Sequence, residues 1–322
     1  MKVIAITPNQ KTDTLASFII SGLYDLGVEV IATDYGNGVQ NVYSDGEVIE
    51  HSKDADYVFA FWGKHGRNGV PSPKYHLLDI INKPEITAYL DGSEWTSTGY
   101  EDTPTQCKDS ILDPKRIKGE PWINEELYDK SKLYFKRVVL EEDLERDKIV
   151  PCYIGAHNSY FVNEDVNLQA KTYDFYCSFG GSAGHVGTGL RSVVYDHCKS
   201  LIGYNSIVGQ KLDNKDYLNT ILNSYIAISA WGAGNCCRRM WEILANRTCC
   251  FIQKPFIIYP NKLVDGESCV YYETIDEFKE KLNYYLNNQE ECITIGKNGF
   301  DHVKKYHTAA KRVQYIFDNM KK

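Results

Sequence analysis

Apolar residues in the first ninety positions fall into short runs, two of which are separated by an amphipathic stretch. The runs "KVIAI" (2–6), "VEVIAT" (28–33), "YVFAFWG" (57–63) and "EITAYLDG" (85–92) are rich in β-branched or aromatic residues, which predicts buried strands. The amphipathic stretch is "TLASFIISGLYDLG" (14–27), and its apolar residues recur at helical spacing. A strand, a helix and a strand in this order build parallel sheets. The pattern therefore predicts an α/β domain.

The same alternation returns after the stretch from Ser93 to Asn124, which is rich in Pro, Gly, Asp and Thr and is predicted to form loops. The later segments are predicted strands at "KLYFKRVVL" (132–140), "YDFYCSFGG" (173–181), "YIAISAWG" (225–232) and "TCCFIQ" (248–253), and predicted helices at "GLRSVVYDHCKSLI" (189–202) and from about Asn235. We therefore predict two α/β domains, 1–165 and 166–305, and a C-terminal helix over 306–322.

Two helices are predicted near the C-terminus. Thr274 with Glu277 three residues later predicts a capping box. Apolar residues at helical spacing follow at Phe278, Leu282, Tyr285 and Leu286. The stretch "HTAAKRVQYIFDNM" (307–320) carries another apolar stripe at Val313, Ile316, Phe317 and Met320.

The composition fits two globular domains and disfavours several classes of protein. The 322 residues are 43% apolar and 25% charged, which allows a sizeable core. A net charge of −7 is not typical of proteins that bind nucleic acid or anionic membranes. No run approaches the roughly 20 apolar residues of a membrane span. The start, "MKVIAITPNQ", is typical of a strand rather than a signal peptide. We expect a cytoplasmic protein, and the sequence leaves its oligomeric state open.

The ten cysteines and the acidic pairs give no clear metal signature. Cys236–Cys237 and Cys249–Cys250 are adjacent pairs, whereas zinc sites space their ligands as C-x2–4-C. Buried free thiols are therefore the favoured interpretation, with a metal site as the alternative. "DAD" (54–56) is the one Asp-x-Asp string, and it is interpreted as a turn leading into a strand.

The most informative segment is "GAGNCCRRMWEILANRTCC" (232–250), in which glycines and two arginines precede or open a predicted helix. A helix N-terminus presents unpaired N–H groups and the positive end of its dipole, and both favour a phosphate. The segment therefore predicts an anion site. Its candidate residues are Gly232, Gly234, Asn235, Arg238, Arg239 and Glu242.

Each charged residue of this segment has a functional and a structural interpretation. A lone carboxylate where a loop meets a helix suits a sugar hydroxyl, so Glu242 is a candidate ribose contact. Its alternative role is an ion pair with a helix neighbour such as Arg239, worth about 0.3–0.5 kcal/mol. Arg239 or Arg238 is a candidate for binding phosphate, because a guanidinium grips two oxygens and stays charged. The alternative is a solvated arginine.

A second candidate anion loop is "GGSAGHVGTG" (180–189), which has five glycines and is followed by Arg191. Glycines allow a close approach of the backbone to a ligand, so Gly180 and Gly181 are candidate binding residues. The alternative is an ordinary turn. The loop does not match G-x-x-x-x-G-K-[ST], so a P-loop NTPase is not supported.

In its second half the chain resembles a known family. "RMWEILANRTCCFIQ" (239–253) and the segment 265–312, which ends in "YHTAAKR", are similar to the C-terminal domain of bacterial glycosyltransferases. "YDFYCSFGG" with the Arg191 region, and "YFKR" (134–137) before an interdomain crossover, add to the resemblance. The matching positions are Arg239 to Glu242, Asp265 to Glu267, "YYLNN", Gly299, His307, Thr308 and Arg312. The likeness covers about residues 130–320 and is greatest to the spore-maturation-type branch.

The resemblance implies two Rossmann-like domains that face each other across a cleft (GT-B type), with C-terminal helices packing back toward the N-terminal domain. It implies a hexosyl-type glycosyltransferase that uses a UDP- or GDP-linked sugar as co-substrate and needs no metal or other cofactor. By matching position, Glu242 contacts the ribose and the arginines neutralise the diphosphate. Members of this branch mostly retain the anomeric configuration.

The N-terminal domain is expected to bind the acceptor, because open parallel sheets bind ligands beyond the carboxyl ends of their strands. His65, Asp91 and Glu94 follow predicted strands and are candidate acid, base or orienting groups, although each is equally explained as a turn residue. "TPNQKTD" (7–13) follows the first strand where related enzymes have a glycine-rich turn. The acceptor stays open among a glycan, a glycolipid, a protein and modified DNA.

Three other functions compete with sugar transfer. A sugar-nucleotide epimerase can share the two-domain fold, and a catalytically silent module would keep the nucleotide pocket without turnover. A Rossmann dehydrogenase is disfavoured, because no G-x-G-x-x-G follows the first strand.

Overall fold

The computed structural model describes residues 1–8, 14–62, 73–92, 123–162, 171–179, 190–231 and 237–322. These residues form two parallel sheets flanked by helices. The predicted division between domains near residue 165 falls in an undescribed range, between the last strand of one sheet and the first of the other, and its position stays a prediction. Most of the predicted loop region that starts at Ser93 also lies outside the described residues.

The first sheet has the strand order β2-β1-β3-β4-β5-β6. Its strands are β1 (Lys2–Ile6), β2 (Glu29–Ala32), β3 (Tyr57–Trp62), β4 (Thr87–Asp91), β5 (Leu133–Lys136) and β6 (Ile149–Pro151). Its helices are α1 (Thr14–Asp25), α2 (Asp45–Ser52), α3 (His76–Ile81) and α4 (Glu125–Asp129). The predicted strand-helix-strand unit at the N-terminus is confirmed, since β1 pairs in parallel with β2. "DAD" does precede a strand, and its Asp54 forms an ion pair with Lys2.

The second sheet has the order β11-β10-β9-β7-β8. Its strands are β7 (Tyr173–Cys177), β8 (Ser206–Val208), β9 (Ser224–Ser229), β10 (Cys249–Gln253) and β11 (Val270–Tyr272). The helices of this half are α5 (Leu190–Ser200), α6 (Asn214–Leu222), α7 (Arg238–Leu244), α8 (Ile275–Leu286), α9 (Gln289–Tyr306) and α10 (Ala309–Met320). Every residue of β10 is buried, as expected for a strand in a parallel sheet covered on both faces.

Two predicted helix starts differ in detail from the structure. The hydroxyl of Thr274 accepts a hydrogen bond from the Glu277 N–H, as predicted, but Glu277 does not complete the box. Its carboxylate accepts from the Glu273 N–H instead. Helix α7 begins at Arg238 rather than near Asn235, and no side chain caps it.

The C-terminal helix α10 packs against the first domain, which confirms the predicted return of the chain. Phe317 stacks on Tyr57 of β3, with ring centroids 5.0 Å apart. The Ala156 N–H donates to the His307 carbonyl over 2.9 Å, so the segment that leaves the first domain lies beside the segment that returns. Within the described ranges, no helix has the length and apolar character needed to cross a membrane.

Gly22 allows the close contact between α1 and α10. A Cβ atom added there would collide with the backbone of Ala309 and lie 2.8 Å from Cγ2 of Val313. We expect Gly22→Ala to lower the free energy of unfolding by about 1–3 kcal/mol through overpacking. The matched control is Gly46→Ala in α2, where a Cβ meets nothing within 4 Å. That substitution should be stabilising by about 0.5 kcal/mol. Equal effects of the two in urea unfolding would contradict the packing argument.

Candidate functional site

A cleft lies at the carboxyl edge of the second sheet, where the chain leaves β7 for α5 and leaves β9 for α7. Its volume is about 390 Å³. In parallel sheets this edge is the usual place for a ligand. The lining residues are Arg191, Leu212, Asn214, Tyr217, Cys237, Arg238, Arg239 and Glu242.

Two arginines meet over one aromatic ring in this cleft. The guanidinium carbons of Arg191 and Arg239 lie 4.9 and 5.3 Å from the ring centroid of Phe179, just beyond β7. Nε of Arg191 and Nε and Nη1 of Arg239 are buried and have no hydrogen-bond partner among the described residues. Burial, and then the positive charge of Arg239, lower the pKa of the Arg191 guanidinium. An anion bound here would supply the missing acceptors and offset the repulsion between the two charges.

Glu242 lines the same cleft and is buried, with 4% of its surface exposed. Its Oε2 accepts a hydrogen bond of 2.6 Å from the Tyr217 hydroxyl, and its Oε1 lies 2.9 Å from Nε of Arg238. Burial raises the pKa of Tyr217 well above its ordinary value, so the phenol keeps its proton and acts as donor. The helix neighbour that pairs with Glu242 is therefore Arg238 and not Arg239. Nε and Nη1 of Arg239 have no partner among the described residues, and its predicted role in binding an anion stays a prediction.

Trp241 of α7 packs into a buried layer of side chains between the two domains. The Trp241 ring lies 4.8 Å from the His307 ring and 5.6 Å from the Tyr153 ring. Nδ1 of His307 lies 3.0 Å from Nη2 of Arg312, and Nε2 lies 2.8 Å from the Asn261 carbonyl. Burial and the charge of Arg312 lower the pKa of His307 well below its ordinary value. His307 and Arg312, the two C-terminal residues of the resemblance, therefore support the helix α7 that carries the site.

The structure brings together Arg191, Arg238, Arg239 and Glu242, the predicted charged residues of the second domain. Seven other predicted residues lie outside the described ranges, and their roles stay predictions. They are His65, Glu94, Gly180, Gly181, Gly232, Gly234 and Asn235.

Asp91, the remaining candidate acid or base, lies at the carboxyl end of β4 and is fully buried. Its Oδ2 accepts a hydrogen bond of 2.8 Å from the Tyr134 hydroxyl on the neighbouring strand β5. Its burial and its bond to Tyr134 are explained by a structural role, and the predicted catalytic role of Asp91 stays a prediction.

Sequence reasoning missed Phe179 and Tyr217, which hold the arginines and the glutamate in place. Tyr217 lies 25 positions before Glu242, on α6, and no local pattern links the two residues. The described cysteines are free thiols, and all but Cys237 are buried. Among the described side chains, no group of three or more His, Cys, Asp or Glu is placed to hold a metal ion.

Another cleft, of about 470 Å³, lies beside α1 in the first domain. Its described lining contains neither lysine nor arginine, so it does not share the anion-binding character of the cleft at α7. The lining residues are Ser17, Ser21, Tyr24, Asp25, Asn37, Gly38, Gln40 and His157.

The two sheets, the cleft and the returning helix together define an α/β fold of two Rossmann-like domains, as predicted. Residues 171–318 match the family model described as glycosyl transferase-like. That match covers a little under half of the chain and contains every residue that lines the cleft at α7. It confirms the resemblance to glycosyltransferases, while the assignment to the spore-maturation-type branch stays a prediction. No curated protein sequence matches the chain.

Solved structures extend the fold comparison to the whole chain. A glycosyltransferase from Rickettsia africae is 11% identical, with a TM-score of 0.61 and coverage of 99% of this chain and 97% of its own. HepE from Anabaena, in complex with UDP, is 10% identical, with a TM-score of 0.57 and complete coverage of both chains. Sucrose-phosphate synthase from Thermosynechococcus elongatus is 9% identical, with a TM-score of 0.58 and coverage of 100% and 98%. The GT-B fold is thereby confirmed.

Proposed function

We propose that this protein is a glycosyltransferase that transfers a sugar from a UDP- or GDP-linked donor to an acceptor. The observation that carries the proposal is one cleft that holds two arginines with unpaired N–H groups and a buried carboxylate. This pairing of charges suits a nucleoside diphosphate, with phosphates at the arginines and ribose at Glu242. HepE, whose fold is similar, was crystallised with UDP, which supports the same class of ligand.

In the proposed reaction, the bond between the anomeric carbon and the diphosphate oxygen breaks, and its electron pair goes to that oxygen. The acceptor oxygen forms the new bond to the anomeric carbon, and its proton passes to the departing diphosphate oxygen. Arg191 and Arg239 stabilise the negative charge that builds on the diphosphate as it leaves. We propose that these fixed charges make a metal ion unnecessary and that the configuration at the anomeric carbon is retained.

The same proposal covers the sugar, the cofactor requirement, the location and the acceptor. The sugar is a hexose, no cofactor other than the donor is needed, and the protein acts in the cytoplasm. The acceptor is a glycan, a glycolipid, a protein or modified DNA. A protein that binds the donor but transfers nothing, or one that epimerises it, would share the donor site and differ only in turnover.

The test is nucleotide binding by the wild-type protein and by Glu242→Ala and Glu242→Gln. We expect UDP or GDP, without added metal, to be stabilising by about 2.7 kcal/mol at 100 times its dissociation constant. Glu242→Ala should raise that dissociation constant about tenfold, because a hydrogen bond to a charged group is lost. Glu242→Gln keeps the shape of the side chain and a partner for Tyr217, and separates loss of charge from misfolding.

Glu280→Ala is the matched control, because Glu280 is an exposed glutamate of the same domain on α8. It should leave the dissociation constant unchanged when binding is measured by calorimetry. Equal affinities for wild type and Glu242→Ala would refute the assignment of Glu242 to the ribose.

A further inference from the structure

The two oxygens of Glu242 are held by partners of opposite character. Tyr217 lies on α6, is partly buried at the cleft, and its ring packs against Tyr176 at 5.8 Å. Arg238 is the first residue of α7, and 62% of its side chain is exposed. One partner of the carboxylate is therefore fixed by packing, and the other can leave without disturbing the core.

The strengths of the two contacts differ for the same reason. The ion pair with Arg238 is the weaker contact, because solvent screens the charge of a guanidinium whose side chain is mostly exposed. The Tyr217 phenol is partly buried and held by ring packing, so losing its acceptor would leave a desolvated polar group unsatisfied. A ligand hydroxyl that competes for Glu242 therefore displaces Arg238 before it displaces Tyr217.

We propose that Arg238 occupies, in the free protein, the place on Glu242 that a ribose hydroxyl takes in the complex. This inference rests on the proposed function and adds an exchange of partners to it. Oε1 of Glu242 passes from Arg238 to the hydroxyl, while Oε2 stays bonded to Tyr217. Tyr217 is thus a positioning residue, and Arg238 is a stand-in that keeps a buried carboxylate paired while the site is empty.

Exchange has a consequence that a fixed Arg238 does not have. Each ribose contact replaces an ion pair, so part of the favourable interaction is offset by the pair that breaks. Removing Arg238 removes this competitor and should increase the share of affinity that comes from the ribose hydroxyls. Removing the Tyr217 hydroxyl lets the carboxylate turn and should decrease that share.

The experiment measures, for the full chain, the ratio of dissociation constants between a 2′,3′-dideoxynucleoside diphosphate and the matching ribonucleotide. UDP and GDP are each compared with their dideoxy analogues by calorimetry. We expect a ratio of about ten for wild type, from one hydrogen bond to a charged group. Arg238→Gln should increase the ratio severalfold, and Tyr217→Phe should reduce it toward one.

Lys297→Gln serves as the control for charge, because Lys297 is an exposed cation of the same domain on α9, and its ratio should equal that of wild type. An unchanged or smaller ratio in Arg238→Gln overturns the exchange, since Arg238 would then be neutral or supportive. An unchanged ratio in Tyr217→Phe overturns the positioning role. If wild type binds neither UDP nor GDP, the proposed function itself fails and this inference fails with it. If wild type binds the ribonucleotide but the ratio does not increase in Arg238→Gln, only the exchange is overturned and the proposed function stands.

Discussion

Replacing Arg239 with alanine is expected to weaken binding of the nucleoside diphosphate about a hundredfold and to leave binding of the free nucleoside unchanged. Nε and Nη1 of Arg239 are buried and find no partner among the described residues, so both are available to phosphate oxygens. A charge-assisted hydrogen bond is worth about 1.5–3 kcal/mol, so the loss of even one good contact gives tenfold or more and two give about a hundredfold. Calorimetric titration with UDP and uridine, or GDP and guanosine, measures the difference.

Two further variants sharpen this prediction. Arg239→Lys keeps the charge but loses the planar pair of donors, and its affinity for the diphosphate should fall between those of wild type and alanine. Lys297→Ala removes a positive charge at an exposed site and should have no effect. An equal loss of affinity for nucleoside and diphosphate in Arg239→Ala would mean that Arg239 shapes the pocket without touching phosphate.

The stability of Arg239→Ala provides an independent check. The guanidinium lies beside Arg191 over the same ring, and the two like charges repel each other. Removing Arg239 relieves this repulsion but also removes its attraction to Tyr217 and Glu242. Because the two effects oppose each other, the free energy of unfolding should fall by less than about 1 kcal/mol. A variant that binds poorly and yet unfolds like wild type identifies Arg239 as a ligand-binding residue.

The second large effect is expected at Phe317, where alanine should lower the free energy of unfolding by about 3–5 kcal/mol. Only 2% of Phe317 is exposed, and its ring lies 5.0 Å from Tyr57 and 6.0 Å from Phe59. Alanine would leave a cavity between α10 and the first sheet. Urea unfolding followed by circular dichroism measures the change.

Ile202→Ala is the control for this substitution, because 93% of Ile202 is exposed. Its effect should stay within about 0.5 kcal/mol. A loss below about 1 kcal/mol in Phe317→Ala would show that α10 contributes little to the stability of the first domain.

Long apolar segments are the part of the fold that the sequence predicts well. β10 is found where "TCCFIQ" predicts a strand, and α10 buries all four residues of its predicted stripe. Short elements escape the same reasoning, because three residues are too few to show a period. β6, β8 and β11 each have three residues, and they are recognised only through their partners in the sheet.

In the candidate site, too, residues that are close in sequence are predicted and residues that come from distant elements are missed. The arginines and Glu242 lie within five residues of one another, so the sequence predicts an ion pair there, but the partner it named is Arg239, whereas the structure pairs Glu242 with Arg238 one turn earlier on the helix. Tyr217 and Phe179 come from other elements, and only the folded chain brings them to the cleft. Contacts between residues that are distant in sequence leave no local pattern in a single sequence.

The return of α10 to the first domain also affects the order in which the protein is completed on the ribosome. α1 and β3 are made early, yet Phe317, which covers Tyr57, is synthesised only after the whole second sheet. At about 5–20 residues per second, translation from residue 162 to residue 320 takes on the order of 10 s or more. For that interval the nascent first domain exposes an apolar face, which must stay free of other chains until its own helix arrives. The first domain therefore buries this face only after the second sheet has been synthesised.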